Sequence, residues 1–363
     1  MIAKRFLLNI IGIYTILKEG HKMKKVFFRI FLVVIVILAL VFILRIYNDK
    51  KYKDINTLNF PEYYKDVTNI SLYPTDIDGV DVTYVDEGRM QGFRFVPKKK
   101  SHKGLVICYG GSEGSPNFES AKRLAEEGYE TFALFMFGMK NQEPTLTKIP
   151  LEQFEDVINY INKNIKDNKP ISVLGASKGA EYALNLACKY PEIDNLILIS
   201  PSSYNFAGLD FKDYGSSWTY KGKQLPYIDT KKSSFSSFLK NIIVPTIIKS
   251  PISYKETYKS AIEQDPSSQE KLIPVKNVKA NILMIVGEDD LMWDSFAMAQ
   301  KIKEKNPNAK IYSYKGAGHI FAGNGVLNLG RIRIATGGTI EGNEKARSES
   351  RKTIATFLKE NHK

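Results

Sequence analysis

Cysteine is nearly missing from this chain: only Cys108 and Cys188 occur in 363 residues. Two cysteines cannot form a disulfide framework or a structural zinc site. Histidine is almost as scarce, at four residues, so imidazole chemistry has few candidates. No repeat of about 20–50 residues and no low-complexity tract appears. With 43% hydrophobic and 25% charged residues, the composition is globular and excludes disordered, collagenous and coiled-coil arrays. A nucleic-acid partner is excluded by where the charge lies. The formal charge is +13, but Lys4, Arg5, Lys18, Lys22, Lys24, Lys25, Arg29 and Arg45 against Glu19 put +7 of it in the first 45 residues. The remainder is mildly basic, without an aromatic-interleaved basic stripe.

That basic lead flanks an apolar run. Ile30–Leu44 holds 15 residues without a charge. With Arg29 and Arg45 snorkelling, Val26–Tyr47 reaches across a hydrocarbon core of roughly 30 Å. No small-x-small cleavage site follows the run and no lipobox cysteine lies nearby, so a cleaved leader is not expected. β-branched and Leu residues on every face exclude an ordinary core helix. The expectation is an uncleaved single-pass signal-anchor in the cell membrane. Positive charges within about 20 residues tie on the two sides. A short basic N-terminus ordinarily stays inside, which puts the large domain outside. Met23-Lys24-Lys25 reads as a natural start for such an anchor, so translation is expected to begin at Met23 rather than Met1.

The expected division is a basic cytoplasmic lead over 1–25, a span over 26–47, a tether and cover over 48–80, and one domain over 81–363. Asp81–Asp86 and Gly92–Val96 form a hairpin. Strands at Leu105–Tyr109, Thr131–Phe137, Ile171–Leu174, Leu196–Ser200, Ile282–Val286 and Lys310–Tyr314 alternate with helices at Ala121–Glu127, Leu151–Asn164, Ala180–Lys189 and Ser295–Lys305. Short apolar strands between amphipathic helices predict an α/β fold, with a mostly parallel central sheet and helices on both faces. A last helix over Asn343–Glu360 aligns Ala346, Ile354, Phe357 and Leu358. Between these, Pro201–Val275 interrupts the alternation for 75 residues. It is too long for a structureless loop, and a helical cap insertion is expected. Its Phe206, Phe211, Tyr214, Trp218 and Tyr220 either pack the cap or line a substrate site.

Gly175-Ala176-Ser177-Lys178-Gly179 follows an apolar strand and opens a helix, as a nucleophile elbow must. The turn is too tight for side chains two residues either side of the serine. A second G-x-S-x-G, Gly110-Gly111-Ser112-Glu113-Gly114, also follows a strand. Chain order separates them: an α/β-hydrolase carries its oxyanion loop after an early strand and its elbow later, which assigns Ser177 as nucleophile. The oxyanion donors are then the backbone amides of Lys178 and of Gly111 or Ser112. The acid must precede the histidine. His319, in Lys315-Gly316-Ala317-Gly318-His319, follows a strand and a glycine turn, whereas His21, His102 and His362 have no such setting. Gly287-Glu288-Asp289-Asp290 ends another strand; Asp290 is the expected acid, with Asp289 the alternative.

Four blocks in order now resemble a known family: IPLEQFEDVINYI (Ile149–Ile161), VLGASKGAEYALNLA (Val173–Ala187), ILMIVGEDDLMWDS (Ile282–Ser295) and YKGAGHIF (Tyr314–Phe321). They look like the C-terminal catalytic domain of the bile acid-CoA:amino acid N-acyltransferase and acyl-CoA thioesterase family, an α/β-hydrolase of dienelactone-hydrolase type. The resemblance covers residues from about 80 to 360 and implies Ser177, Asp290 and His319 as a triad. Family members with serine rather than cysteine at the elbow are mostly hydrolases, so hydrolysis is implied over amide transfer. The family's animal members carry an N-terminal β-sandwich, for which the stretch between apolar run and core leaves no room.

The expected activity is therefore hydrolysis of acyl thioesters or esters, through an acyl-enzyme that water resolves. It needs neither metal nor organic cofactor. The expected substrate is a small acyl ester or thioester, acyl-CoA among the candidates. The competing expectations are an extracellular carboxylesterase, lipase or peptidase with no CoA role, and a non-catalytic binding module at the membrane.

Overall fold

The structure, a computed structural model, describes residues 2–53, 60–330 and 332–363, with side chains from residue 24 onward. The expected start at Met23 and the basic residues before Lys24 lie outside the described side chains. Helix α1 (Ile2–Lys51) is continuous through the apolar run. Its Lys24–Lys51 stretch is long and apolar enough to cross a membrane, and the apolar window within it is not buried in the protein. After α1, two short 3-10 turns place Tyr63 and Tyr73 face to face. Both rings pack on Phe118, closing one edge of the core.

The remaining elements run β1 (Asp76–Ile77), β2 (Val80–Glu87), β3 (Met90–Pro97), β4 (Leu105–Tyr109), α2 (Phe118–Glu126), β5 (Glu130–Leu134), β6 (Ile149–Pro150), α3 (Gln153–Asn164), β7 (Ile171–Ala176), α4 (Lys178–Ala187) and β8 (Asn195–Ile199). Then come β9 (Trp218–Tyr220), β10 (Lys223–Gln224), α5 (Phe235–Phe238), α6 (Val244–Ile248), α7 (Lys255–Glu263), β11 (Asn281–Gly287), α8 (Ser295–Lys305), β12 (Lys310–Tyr314), β13 (Val326–Asn328), β14 (Arg333–Ala335) and α9 (Ile340–Asn361).

Nine strands form one mixed sheet in the order β1-β2-β3-β5-β4-β7-β8-β11-β12. From β5 to β12 every neighbour is parallel. The β1, β2 and β3 pairings, including β3 with β5, are antiparallel. The period-two pattern of β4 explains the layers. Leu105, Ile107 and Tyr109 join a cluster with Phe154 and Val157 of α3 and Ala180 and Leu184 of α4. Val106 and Cys108 point the other way, into a cluster with Leu124 of α2 and Phe357 of α9. Buried on both faces, these central strands read as continuous apolar runs.

From β4 the chain steps to one side to make β5 and to the other to make β7. The loops after β4 and β7 therefore flank a topological switch point at the carboxyl ends of the strands, where open α/β sheets bind ligands.

Two expectations need correction, and one hairpin was not expected. The strand expected over Thr131–Phe137 ends at Leu134, because Phe135–Phe137 turn away into the loop above the sheet. The 201–275 segment is not simply helical. It contributes β9 and β10 to a three-stranded sheet with β6, followed by short helices. Backbone pairing with Ile149 and Pro150, rather than helix packing alone, fixes its first part. The β13–β14 hairpin, between His319 and α9, has too weak an alternation to be read as strands.

Candidate active site

Ser177 occupies the turn between β7 and α4 with φ 55° and ψ −118°, a strained conformation for a residue with a side chain. The geometry demands both flanking glycines. A Cβ on Gly175 would lie 2.1 Å from the Gly179 carbonyl oxygen, and one on Gly179 would lie 2.1 Å from that of Gly110. The Ser177 amide donates to the Ile199 carbonyl at 2.9 Å, tying the turn to β8.

His319 Nε2 lies 2.8 Å from Ser177 Oγ, and His319 Nδ1 lies 2.8 Å from Asp290 Oδ2. A carboxylate only accepts, so Nδ1 carries the proton and the Nε2 lone pair faces the serine hydroxyl. Asp290 and His319 are both buried, and the second Asp290 oxygen accepts from the amides of Met292 (2.8 Å) and Trp293 (3.3 Å). The three expected side chains are thus brought together from the ends of β7, β11 and β12. Asp289 is not among them: it is exposed, and its amide donates to the Ala317 carbonyl.

The residues expected to bind an oxyanion are less uniformly arranged. Lys178 is the first residue of α4, so its amide lacks an intrahelical partner and lies beside Ser177 at the positive end of the helix. Gly111 also lies against the serine, since a Cβ built on it would be 3.5 Å from Ser177 Cβ. Its amide is already engaged, donating to Glu113 Oε1 at 3.1 Å, and that same oxygen accepts from Ser115 Oγ at 2.6 Å. Ser112 is exposed on the same loop. Chemically, the arrangement can deprotonate a hydroxyl and present it from a helix N-terminus. Among the described residues no group of three His, Cys, Asp or Glu side chains could hold a metal ion.

Residues 149–362 match the family described as BAAT / Acyl-CoA thioester hydrolase C terminal. The chain belongs to this family. It is 26% identical to the bile acid-CoA:amino acid N-acyltransferase of Mus musculus, over 78% of this chain and 66% of that protein. To the acyl-coenzyme A thioesterase 1 of Homo sapiens it is also 26% identical, over 60% of this chain and 47% of that one. The chain thus spans about half to two thirds of these relatives. Among solved structures, carboxyl esterase 2 of the mycorrhizal fungus Tuber melanosporum aligns with TM-score 0.50 and 13% identity, covering 87% of this chain and 97% of that one. That likeness concerns the α/β-hydrolase fold.

Ser177, Asp290 and His319 all fall inside the thioester hydrolase C-terminal match, whereas Gly111 and Ser112 precede it. Several residues around them were not singled out from the sequence. Trp293 meets the His319 ring edge-on at 5.0 Å and donates its indole N–H to the Ser200 carbonyl. Ser200 in turn donates its hydroxyl to the His319 carbonyl at 2.6 Å, so ring and backbone of the histidine are held from two sides. Behind the elbow, Lys178 Nζ is buried and donates to Glu181 Oε2 at 2.9 Å and to Ser217 Oγ at 2.9 Å. Glu181 also accepts from Trp218 Nε1 (2.8 Å) and the Phe206 amide (3.1 Å). Burial pushes the Lys178 ammonium pKa down and the Glu181 carboxyl pKa up, while the pairing opposes both. The i,i+3 spacing on α4 could have suggested this pair; its burial and its grip on Phe206 and Trp218 could not be foreseen. Those two rings are packing residues, while Phe211 is 80% exposed.

Proposed function

We propose that this chain is a membrane-anchored serine hydrolase of acyl thioesters or esters. Ser177 is its nucleophile, His319 its general base and Asp290 the residue that orients the base. The observation carrying this reading is the continuous relay from Asp290 through His319 to a serine on a strained elbow. As Ser177 Oγ attacks the acyl carbonyl, its proton passes to His319 Nε2, and Asp290 stabilises the imidazolium. The tetrahedral oxyanion is held by the Lys178 amide and by that of Gly111 or Ser112. One such donor is worth about 3–4 kcal/mol in kcat. His319 then returns the proton to the departing thiolate or alkoxide, leaving an acyl-enzyme. Water, activated by the same imidazole, releases the acid and restores the serine. For Gly111 to serve, Glu113 must release its amide.

Acyl-CoA thioesters enter as candidates through the names of the relatives. A domain on the outer side of the membrane would instead meet esters with no CoA; the exposed apolar stretch of α1 supports the anchor and is neutral between the two sides. We divide the chain into the basic lead, the span over 26–47, the tether over 48–80 and the hydrolase domain over 81–363, with 201–275 as its cap. Hydrolysis of a medium-chain acyl-CoA and of a p-nitrophenyl ester by the full chain and by Ser177→Ala tests the proposal. The variant is expected to lose about six orders of magnitude on the substrate that the parent cleaves. Equal rates in the two proteins would overturn it.

A further inference from the structure

The C-terminal end of α1 is docked on the domain. Arg45 Nη1 donates to the Ile247 carbonyl at 3.3 Å, and Asn48 Nδ2 to the Ile248 carbonyl at 2.8 Å. Asp49 pairs with Lys249 (2.7 Å) and Arg333 (2.8 Å). Asn48 is buried in this contact. The partner element is a continuous apolar helical stretch, Phe235–Ile248, comprising α5, a π-turn over Leu239–Ile243, and α6.

That stretch has no protein cover on its outer side. Phe235 is 76% exposed, and Phe238, Leu239, Val244 and Ile247 are each 40–45% exposed. Lys240 is its one charged residue. Isolated surface apolar residues are ordinary, but five on one short helical stretch mark a docking surface. At 14 residues it is too short to span a bilayer and suits an interfacial helix. Arg45 is the first charge beyond the charge-free Ile30–Leu44 run. In a spanning α1 that charge lies at the headgroup level, and Ile247 and Ile248, which it and Asn48 touch, lie there too.

We infer that Phe235–Ile248 lies in the membrane interface beside the exit of α1, with a phospholipid bilayer as its partner. Lys232 and Lys240, just before and within the stretch, and Lys50 and Lys53 at the end of α1 are exposed and suit anionic headgroups. The consequence for the site runs through the backbone. Arg333, held by Asp49, also donates to the Lys249 carbonyl. Its own carbonyl accepts from the Ile252 amide, and Thr336, three residues on, accepts from the His319 amide at 2.7 Å. The loop carrying His319 is therefore tied to the membrane-docked edge of the domain.

This inference rests on reading α1 as a span, and the test separates the two. Nitroxides are attached to full-length variants Phe238→Cys, Ile247→Cys, Leu38→Cys and Phe211→Cys, with Cys188 replaced by serine. The proteins are reconstituted in vesicles containing one fifth phosphatidylglycerol, about 20%. Accessibility to oxygen is compared with accessibility to a water-soluble nickel chelate. The expected result is lipid-like accessibility at 38, 238 and 247 and water-like accessibility at 211, unchanged on lipid dilution. Water-like values at 238 and 247 with a lipid-like value at 38 would overturn the interfacial helix and leave the span standing. Water-like values at 38 as well would remove both. Shielding at 238 and 247 that fades as protein is diluted in lipid would identify a second copy as the partner and overturn the proposal.

Discussion

Two apolar regions of this protein, one mostly aromatic and one mostly aliphatic, differ in what surrounds them. Around the elbow, Phe206, Trp218 and Trp293 are at most 2% exposed and lean on the buried Lys178–Glu181 pair or on His319, with the buried Tyr182 ring packed on Trp218. Along Phe235–Ile248, five large apolar side chains remain 40–76% exposed. Each ring or branched chain buried near the elbow contributes about 1.5–3 kcal/mol to folding. The exposed set contributes little, so a second medium is what its composition suits. On the proposed reading, the difference separates residues that hold the catalytic geometry from residues that place the domain.

The largest effect that sharpens this contrast is on the site itself. Asp290→Asn keeps a hydrogen-bonding shape but lets His319 adopt the wrong tautomer. It should lower kcat by about 10⁴-fold with little change in melting temperature. Steady-state kinetics and a thermal melt of the same preparation check this. Next comes stability. Glu181→Ala leaves Lys178 buried without its partner and should cost about 3–5 kcal/mol. Denaturant melts should show Lys178→Met/Glu181→Gln to be more stable than Glu181→Ala, since the introduced amide oxygen still accepts from Trp218 and Phe206. By contrast Phe238→Ser and Ile247→Ser should change stability in detergent by less than about 0.5 kcal/mol. If those exposed positions prove as costly as Glu181, the contrast fails.

A smaller effect concerns Glu113. Replacing it with glutamine retains the acceptor for the Gly111 and Ser115 donors but removes a negative charge from beside the oxyanion. The expected gain in kcat is about fivefold, near 1 kcal/mol. An unchanged or lower kcat would contradict a Glu113 charge that opposes the oxyanion.

The smallest effect is on pH dependence. His362 Nδ1 faces the Lys103 carbonyl at 2.8 Å and must donate to it, so Nε2 accepts from Ser172 Oγ at 2.6 Å. Burial lowers the His362 pKa, which keeps the ring neutral in the fold. The unfolded chain then binds the proton more readily. Stability is full above the unfolded value of about 6.5 and declines as pH falls through it. Thermal melts of the parent between pH 7.5 and about 5.5 should show this slope, and His362→Gln should flatten it.

Much of this was legible in the sequence because the constraints were local. The elbow needs glycine at 175 and 179 for steric reasons that any sequence must obey. Ser, acid and His have only one workable order when His319 is the one histidine after a strand and a glycine turn. The sheet was readable from runs such as LVICY, apolar throughout because both faces are covered. What could not be read depends on distance in space. Nothing in GGSEG says that Glu113 folds back onto the Gly111 amide. The run FSSFLKNIIVPTII reads equally well as a buried cap helix, and only its exposure separates the two. The β9–β10 ribbon owes its form to Ile149 and Pro150, some 70 residues earlier, and a segment length that argued only for a cap carried no sign of that pairing.

The most direct measurement is to label the full-length protein with a fluorophosphonate and locate the adduct by peptide mapping. The account predicts one modified peptide, carrying the adduct on Ser177, with labelling lost in Asp290→Asn and His319→Ala. An adduct on Ser112, the serine of the other G-x-S-x-G loop, or labelling indifferent to His319, would contradict it.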